Sequence, residues 1–111
     1  MMMIEAADDL YRKIKNYNAA VDGDKLRRAF LFGMAAHDGQ VRASGEPYFV
    51  HPIAVANILA DMRLDLDTII TALLHDTVED CEVTLDTLQN QFGTSVAQLV
   101  DGVTKLSRIG M

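Results

Sequence analysis

The feature that most constrains the fold is the segment Ile69 to Leu74, which is apolar on nearly every side of a helix. A helix with one apolar stripe lies at a protein surface, whereas a helix that is apolar all round is buried. The chain has only 2 prolines, and the alternation of apolar and polar residues typical of strands is scarce. These patterns predict an all-α bundle of about six helices, with the helix that carries this segment at its centre.

Capping residues and apolar periodicity predict where the helices begin and end. The expected first residues or N-caps are Ala6, Asp24, His51 with Pro52, Asp67, Thr84, and Ser95 with Gln98 as a capping box. A loop is predicted between the second and third helices because the segment Asp38 to Val50 is rich in glycine, serine and proline. Gly93 is the expected C-terminal stop of the fifth helix.

Composition excludes several classes of function. The 111 residues suffice for one domain, and the net charge of −6 disfavours sequence-independent DNA binding, which needs many cations. A small phosphorylated ligand is still compatible if a metal or a few basic residues supply positive charge.

The single cysteine, Cys81, rules out an internal disulfide and is expected to be structural. No signal peptide or membrane span is recognisable, so a cytoplasmic location is expected.

The strongest chemical signal is the motif His75-Asp76-Thr77-Val78-Glu79-Asp80, which follows the buried apolar segment. An imidazole beside a carboxylate can bind one divalent cation. If the helix continues, Glu79 and Asp80 lie one turn beyond His75 and Asp76, where a carboxylate can deprotonate a water molecule. The alternative is that the acidic residues form only a solvated helix end.

His51 strengthens the metal hypothesis. It begins a helix 24 residues before His75, and a helix, a turn and a second helix would return the chain close to its start. His51 could then join His75 and Asp76 at one metal. The alternative is that His51 is only an N-cap.

A third signal precedes His51 directly. Arg42 can donate two hydrogen bonds to a phosphate, Ser44 adds a hydroxyl, and Tyr48 offers a ring to a base or to a packing partner. An ordinary surface loop is the alternative. His37 belongs to none of these groups and is interpreted as a helix C-terminal cation or a packed residue.

Together these segments resemble the hydrolase domain of the RelA/SpoT homologue family. The resemblance extends from Ala36 to Ile109, about two-thirds of the 111 residues. Its main motifs are RASGEPYFVHP (Arg42 to Pro52), ALLHDTVED (Ala72 to Asp80) and LVDGVTKL (Leu99 to Leu106). The two motifs outside HDTVED argue against an HD phosphohydrolase that acts on another nucleotide.

The resemblance implies an HD-domain helical bundle and a Mn²⁺ enzyme of stringent-response signalling. Such an enzyme removes the 3′-pyrophosphate of guanosine tetra- and pentaphosphate (ppGpp and pppGpp). The implied metal ligands are His51, His75 and Asp76. The implied catalytic pair is Glu79 and Asp80. The implied substrate-binding residues are Arg42, Ser44 and Tyr48.

One departure from the family pattern affects what these residues can do alone. The family's fourth metal ligand is an aspartate in a motif similar to Ala-Asp-Arg-Leu-His-Asn, which is absent here. We therefore expect an incomplete, N-terminal part of the hydrolase domain that is inactive by itself. The alternative is a non-catalytic fragment that self-associates or binds the rest of its parent protein. Apolar faces on the central helix and on the stripe from Val96 to Leu106 are expected to be uncovered and to drive association.

Overall fold

Six helices account for most of residues 3–109, the part of the chain that this computed structural model describes. They are α1 (Met3–Lys15), α2 (Gly23–Ala36), α3 (Val50–Asp61), α4 (Leu66–Asp80), α5 (Leu85–Phe92) and α6 (Thr94–Ile109). The strand-like pairing within this range is a single antiparallel bridge between Val41 and Pro47. The predicted all-α fold is confirmed. No helix in the described range combines the length and the apolar character needed to cross a membrane.

Two predicted N-caps are wrong by two residues. Asp22 caps α2 by accepting a hydrogen bond from the Lys25 backbone nitrogen at 3.0 Å. Asp65 caps α4 in the same way from Thr68, at 3.2 Å. The predicted caps, Asp24 and Asp67, lie inside the first turns. Their negative charges are favourable there because the helix N-terminus is the positive end of the helix dipole.

The other helix ends are a mixture of confirmed and wrong predictions. Thr84 caps α5 by accepting from the Thr87 backbone nitrogen at 3.1 Å, and Gly93 ends α5 with a φ of 99°. That φ lies in the region that glycine adopts without strain. Helix α6 begins at Thr94, so Ser95 lies within the helix and is not its cap. Phe49 precedes α3, so His51 also lies within its helix.

Helix α4 is the centre of the bundle and packs against α2, α3 and α6. Its four large aliphatic side chains are fully buried: Ile69, Ile70, Leu73 and Leu74. The prediction that α4 is central is confirmed, whereas the prediction that its apolar face is uncovered is wrong. Helices α2, α3 and α6 cover it within the described residues. Burial of this kind contributes about 1.5–3 kcal/mol for each large aliphatic side chain.

A close approach between α2 and α4 depends on Gly33. A Cβ atom at this position would lie 2.5 Å from the Phe49 ring and 3.0 Å from the Leu73 carbonyl oxygen. The Phe49 ring also packs edge-on against Phe30, with 5.3 Å between the ring centroids. Phe49 is thereby fixed in the core at the start of α3. This contact anchors the end of the segment that carries Tyr48.

The segment between α2 and α3, residues 38–49, is a loop, as predicted, and a single antiparallel bridge between Val41 and Pro47 gives it the shape of a hairpin. The Tyr48 backbone nitrogen donates to the Gln40 carbonyl at 2.9 Å, and the Arg42 nitrogen donates to the Glu46 carbonyl at 2.8 Å. The turn at the tip is closed by Gly45, whose φ is 92°. We call residues 38–49 the α2–α3 hairpin. Its base is fixed by both helices, and its tip is exposed.

Candidate active site

The predicted His-Asp pair lies on the penultimate turn of α4, and the helix continues to Asp80. The His75 Nε2 atom is 3.0 Å from Asp76 Oδ1. The other ring nitrogen, Nδ1, donates to the Ala72 carbonyl oxygen at 3.2 Å. Both nitrogens of the ring therefore face acceptors, which orients the imidazole and favours its protonated form.

The two side chains alter each other's titration. The hydrogen bond to Asp76 raises the pKa of His75 above its ordinary 6.5, although burial of the ring acts in the opposite direction. The same hydrogen bond lowers the pKa of Asp76 below 3.8, again against the effect of burial. Both groups are partly buried, so solvent screens the pair only in part. Both side chains are charged at a pH that is above the pKa of Asp76 and below the pKa of His75.

Tyr48 joins this pair from the α2–α3 hairpin. Its hydroxyl donates to Asp76 Oδ2 at 3.1 Å and lies 3.5 Å from Asp80 Oδ2. Burial and the negative charges of Asp76 and Asp80 raise the pKa of Tyr48 to about 12. The hydroxyl is therefore a donor at neutral pH. Because a phenol carries one proton, the two carboxylates must share it.

The two predicted catalytic carboxylates occupy the last turn of α4 and are exposed. Asp80 is joined to Asp76 through the Tyr48 hydroxyl. Glu79 lies next to it in sequence, with its side chain open to solvent. Because the helix is continuous to Asp80, the one-turn spacing from His75 and Asp76 is present as predicted. Their catalytic role stays a prediction.

His51 is placed differently from the other two predicted metal ligands. It is exposed in the first turn of α3, which packs against α4. Among the described residues, no three histidine, cysteine, aspartate or glutamate side chains lie close enough together to hold a metal ion. The structure thus brings His75 and Asp76 together and does not bring His51 to them. The role of His51 as a ligand stays a prediction.

The chemistry of the His75–Asp76 pair nevertheless fits a divalent cation. An imidazole nitrogen and a carboxylate oxygen, partly buried and 3.0 Å apart, are donors that such cations accept together. The Ala72 carbonyl fixes the histidine ring through its other nitrogen, as is usual for histidine ligands. A cation would replace the proton that these two side chains now share.

The predicted substrate residues of the hairpin tip are accessible. Arg42 and Ser44 are both exposed. The Ser44 hydroxyl makes a long contact of 3.4 Å with the Glu46 carboxylate. Tyr48, the third predicted substrate residue, is half-buried, and its hydroxyl is engaged by carboxylates. Substrate binding by these three residues stays a prediction.

Sequence reasoning did not connect His37 with this site. The ring is only 3% exposed and stacks on the Tyr48 ring, with 4.8 Å between centroids and 24° between planes. The interpretation of His37 as a packed residue is confirmed. A signal was present, because His37 follows Gly33 by four residues and so continues the buried face of α2.

Cys81 immediately follows α4 and contacts the same histidine. Its Sγ atom is 3.3 Å from His37 Nδ1 and accepts a weak hydrogen bond from Gln40 at 3.6 Å. Burial raises the pKa of the Cys81 thiol above 9.0. A raised pKa disfavours the reactive thiolate. These contacts support the predicted structural role of Cys81.

Comparison with known proteins places this arrangement in context. The family model described as "HD domain" matches residues 29–111. A guanosine-3′,5′-bis(diphosphate) 3′-pyrophosphohydrolase from Vibrio cholerae serotype O1 is 51% identical over 102 residues, 92% of this chain and 14% of that protein. The bifunctional (p)ppGpp synthase/hydrolase SpoT of Escherichia coli K12 is 47% identical over 102 residues, with the same coverage.

A third relative carries a different name. A GTP pyrophosphokinase from Myxococcus xanthus is 48% identical over 95 residues, which are 86% of this chain and 12% of that protein. The chain thus spans no more than 14% of the length of these three relatives.

Proposed function

This chain belongs to the HD-domain family, and we propose that it forms part of a Mn²⁺-dependent enzyme that hydrolyses the 3′-pyrophosphate of ppGpp and pppGpp. Two relatives of high identity carry names that state this hydrolysis. The single observation that carries the proposal is the partly buried His75–Asp76 pair, with Asp80 joined to it through Tyr48. The products are GDP or GTP and pyrophosphate, and the reaction belongs to stringent-response signalling in the cytoplasm.

We assign His75, Asp76 and His51 to the metal. When bound, a divalent cation supplies positive charge to the phosphates and increases the acidity of a water molecule. His75 is held by the Ala72 carbonyl, and Asp76 is held by Tyr48. Of the three, His51 is the one that does not lie beside the others in the described structure. Its place at the start of α3, which packs against α4, supports this assignment.

The protein's own side chains then account for the movement of the proton. Glu79 and Asp80 are exposed carboxylates at the end of α4, and either can accept the proton of the attacking water. The water oxygen bonds to the phosphorus that is attached to the 3′ oxygen. The bond between that phosphorus and the 3′ oxygen breaks, and the 3′ oxygen takes up a proton.

The hairpin tip has the chemistry to hold the nucleotide. Arg42 is exposed at the tip and can donate two hydrogen bonds to a phosphate. Its charge would offset the negative charge of the bound phosphates, which the attacking water approaches. Ser44 adds a hydroxyl in the turn that follows Arg42. The formal net charge of −6 makes such local positive charge necessary for binding a highly phosphorylated nucleotide.

The test is a direct assay of both products. The protein translated from the whole reading frame that contains these residues, called the full-length product below, is incubated with ppGpp and Mn²⁺. We expect equal amounts of GDP and pyrophosphate, and no reaction after chelation of the metal. The 111-residue chain alone is assayed in parallel and should release little or none. Hydrolysis of other nucleotides but not of ppGpp would favour an HD phosphohydrolase of different specificity.

A second candidate function is a non-catalytic fragment that self-associates or binds the rest of its parent protein. One observation favours it: three apolar residues of α6 lie open to solvent, namely Leu99, Val103 and Leu106. These three residues belong to the stripe from Val96 to Leu106 that was expected to be uncovered, whereas Val96 and Val100 of the same stripe are buried. A full-length product with no activity and a stable complex between the chain and its parent would support this candidate.

A further inference from the structure

We propose that His37 is a positioning residue of this site, because its ring fixes Tyr48 and thereby sets the separation of the Asp76 and Asp80 carboxylates. The kinetic consequence of this inference rests on the proposed hydrolysis, whereas the packing itself does not. His37 touches neither of the two carboxylates through any hydrogen bond among the described side chains. It acts through Tyr48.

The position of the Tyr48 ring depends on its stacking against His37. The rings of His37 and Tyr48 are nearly parallel and 4.8 Å apart. The His37 ring is also stacked with Phe49, at 6.0 Å and 27°, and Phe49 is fixed in the core by Gly33 and Phe30. The platform beneath Tyr48 is therefore built from buried residues that have little freedom to move.

Polar contacts fix the orientation of the His37 ring. Its Nδ1 atom is 2.9 Å from Gln40 Oε1 and 3.3 Å from Cys81 Sγ. Gln40 also accepts the Tyr48 backbone N–H at 2.9 Å, and its side chain lies 3.5 Å from the Asp80 carbonyl oxygen. These contacts connect the end of α2, the base of the hairpin and the end of α4. The ring cannot turn without breaking them.

The second ring nitrogen of His37 shows that the polar contacts of this ring have a cost. Nε2 is buried and has no hydrogen-bond partner among the described residues. A proton on Nδ1 satisfies the Gln40 contact and leaves Nε2 as an unpaired acceptor, which costs free energy. An apolar ring would avoid this cost and would lose the Gln40 and Cys81 contacts. The polar anchor thus holds the ring at a cost in stability.

The fixed His37 ring holds the Tyr48 hydroxyl between the two carboxylates. Its hydroxyl donates the one proton that Asp76 and Asp80 share. If the ring were free to rotate toward solvent, the two carboxylates would face each other without a donor between them and would repel. Asp80, which is exposed, would then move away from the proposed reaction centre. Misplacement of a reacting group by about 1 Å can reduce turnover about a hundred-fold.

Two substitutions of His37 distinguish the effect of ring stacking from the effect of the polar contact. His37→Phe keeps a flat ring and removes the contact to Gln40, whereas His37→Asn keeps a polar group near the Nδ1 position and removes the ring. In the full-length product we expect His37→Asn to lower kcat about ten- to a hundred-fold with little change in KM. We expect His37→Phe to keep most of kcat. Leu88→Ala, which removes a buried side chain of α5, controls for lost stability alone.

A double-mutant cycle tests whether His37 acts through the Tyr48 hydroxyl. Tyr48→Phe removes only that hydroxyl and should lower kcat to a similar extent. Adding His37→Asn to Tyr48→Phe should then change kcat little further. If the two reductions multiply, or if neither substitution alone changes kcat, the proposal is overturned. If His37→Asn does not fold, His37→Leu fills the space without a flat ring and takes its place.

A measurement without catalysis separates this proposal from the proposed function. In the 111-residue chain, the Tyr48 ring protons should be shifted upfield by the stacked imidazole in NMR spectra. That shift should persist in His37→Phe and disappear in His37→Asn, with Tyr11 and Tyr17 unchanged. Unchanged Tyr48 resonances in His37→Asn would overturn the positioning role. An inactive full-length product with the expected NMR shifts would instead overturn the hydrolysis alone.

Discussion

Helices α4 and α6 are both rich in apolar residues, but their buried and exposed residues are arranged differently. Helix α4 is divided along its length: Ile69 to Leu74 is buried, and His75 to Asp80 carries the polar site. In helix α6, buried and exposed apolar residues lie on different faces of the same stretch of helix. Val96 and Val100 are fully buried, whereas a second row of apolar residues is open to solvent: Leu99, Val103 and Leu106.

The difference shows what each helix can contribute. The buried half of α4 is surrounded by α2, α3 and α6, so it can fix the direction in which its polar end leaves the core. A helix with one end in the core and one at the surface presents side chains with little freedom, which suits a catalytic site. Helix α6 has exposed apolar residues from Leu99 to Leu106, which suits contact with another surface. Substitutions in each helix test this division.

The two exposed carboxylates in the last turn of α4 should contribute to activity and little to stability. In the full-length product, Glu79→Gln and Asp80→Asn should each reduce ppGpp hydrolysis by about 10²–10⁴-fold, the usual contribution of a general base. Metal and nucleotide binding should persist, because each change preserves the shape of the side chain. Initial rates of pyrophosphate release measure the effect.

A neighbouring acid provides the control for that comparison. Glu82 is exposed just beyond the end of α4, and Glu82→Gln should leave the rate unchanged. Near-normal turnover in both Glu79→Gln and Asp80→Asn would show that the base lies elsewhere in the protein.

The buried half of α4 should carry stability. Leu73→Ala removes a side chain that is fully buried, and should cost about 2–5 kcal/mol of unfolding free energy. Leu99→Ala, on the free face of α6 and 39% exposed, should cost less than about 1 kcal/mol. Urea denaturation of the 111-residue chain at low concentration measures both. Equal losses would remove the distinction between the two helices.

The sequence predicted this division for α4 because the change from apolar to polar residues is abrupt at His75. It also identified Thr84 and Gly93 as helix ends. It misplaced the caps of α2 and α4 because each true cap, Asp22 or Asp65, has a second aspartate two residues later. Both residues are suitable caps by type, and only the geometry of the first turn decides which carboxylate reaches the free N–H.

The network around Tyr48 lay outside what one sequence can predict. The stack on His37 and the hydrogen bond to Asp76 join residues from α2, the hairpin and α4. Such contacts depend on how helices pack, and periodicity describes only one helix at a time. The position of the His51 side chain relative to His75 and Asp76 could not be predicted for the same reason. The return of the chain through α3 and α4 was predicted, but the direction of an exposed side chain was not.

The His75–Asp76 pair at the boundary within α4 should make stability depend on pH. The hydrogen bond to Asp76 raises the pKa of His75 above 6.5, so its contribution is present below pH 6.5 and is lost as pH rises through the folded-state value. The hydrogen bond from His75 lowers the pKa of Asp76 below 3.8, so that contribution is present above pH 3.8 and is lost as pH falls through the folded-state value.

Metal-free stability measured across pH tests this pair. His75→Gln should flatten the decline that the wild-type chain shows above pH 6.5 and should leave the overall fold unchanged. His51→Gln is the control, because His51 is exposed at the start of α3. A decline that survives His75→Gln unchanged would place its origin in another group. Added Mn²⁺ should bind more weakly as pH falls, because the cation competes with the proton on His75.

The smallest expected effect concerns the free face of α6. Leu99, Val103 and Leu106 are 39%, 38% and 69% exposed, and three such residues cannot bury the roughly 1,200 Å² of a stable interface. Since the apolar face of α4 is covered, the 111-residue chain should be a monomer at low concentration and should associate only weakly as concentration rises. Light scattering over a range of concentrations measures this.

The pair Leu99→Gln and Leu106→Gln should abolish that association without loss of helical content. Met62→Gln is the matched control, since Met62 is a similarly apolar residue on the surface just beyond α3 and is 62% exposed. If Met62→Gln disperses the chain equally, association is unspecific and the face of α6 has no special role. If the full-length product covers this face with its own residues, the same pair of substitutions should lower its stability and leave its mass unchanged. The two outcomes distinguish a face that meets a second copy from one that meets the rest of the protein.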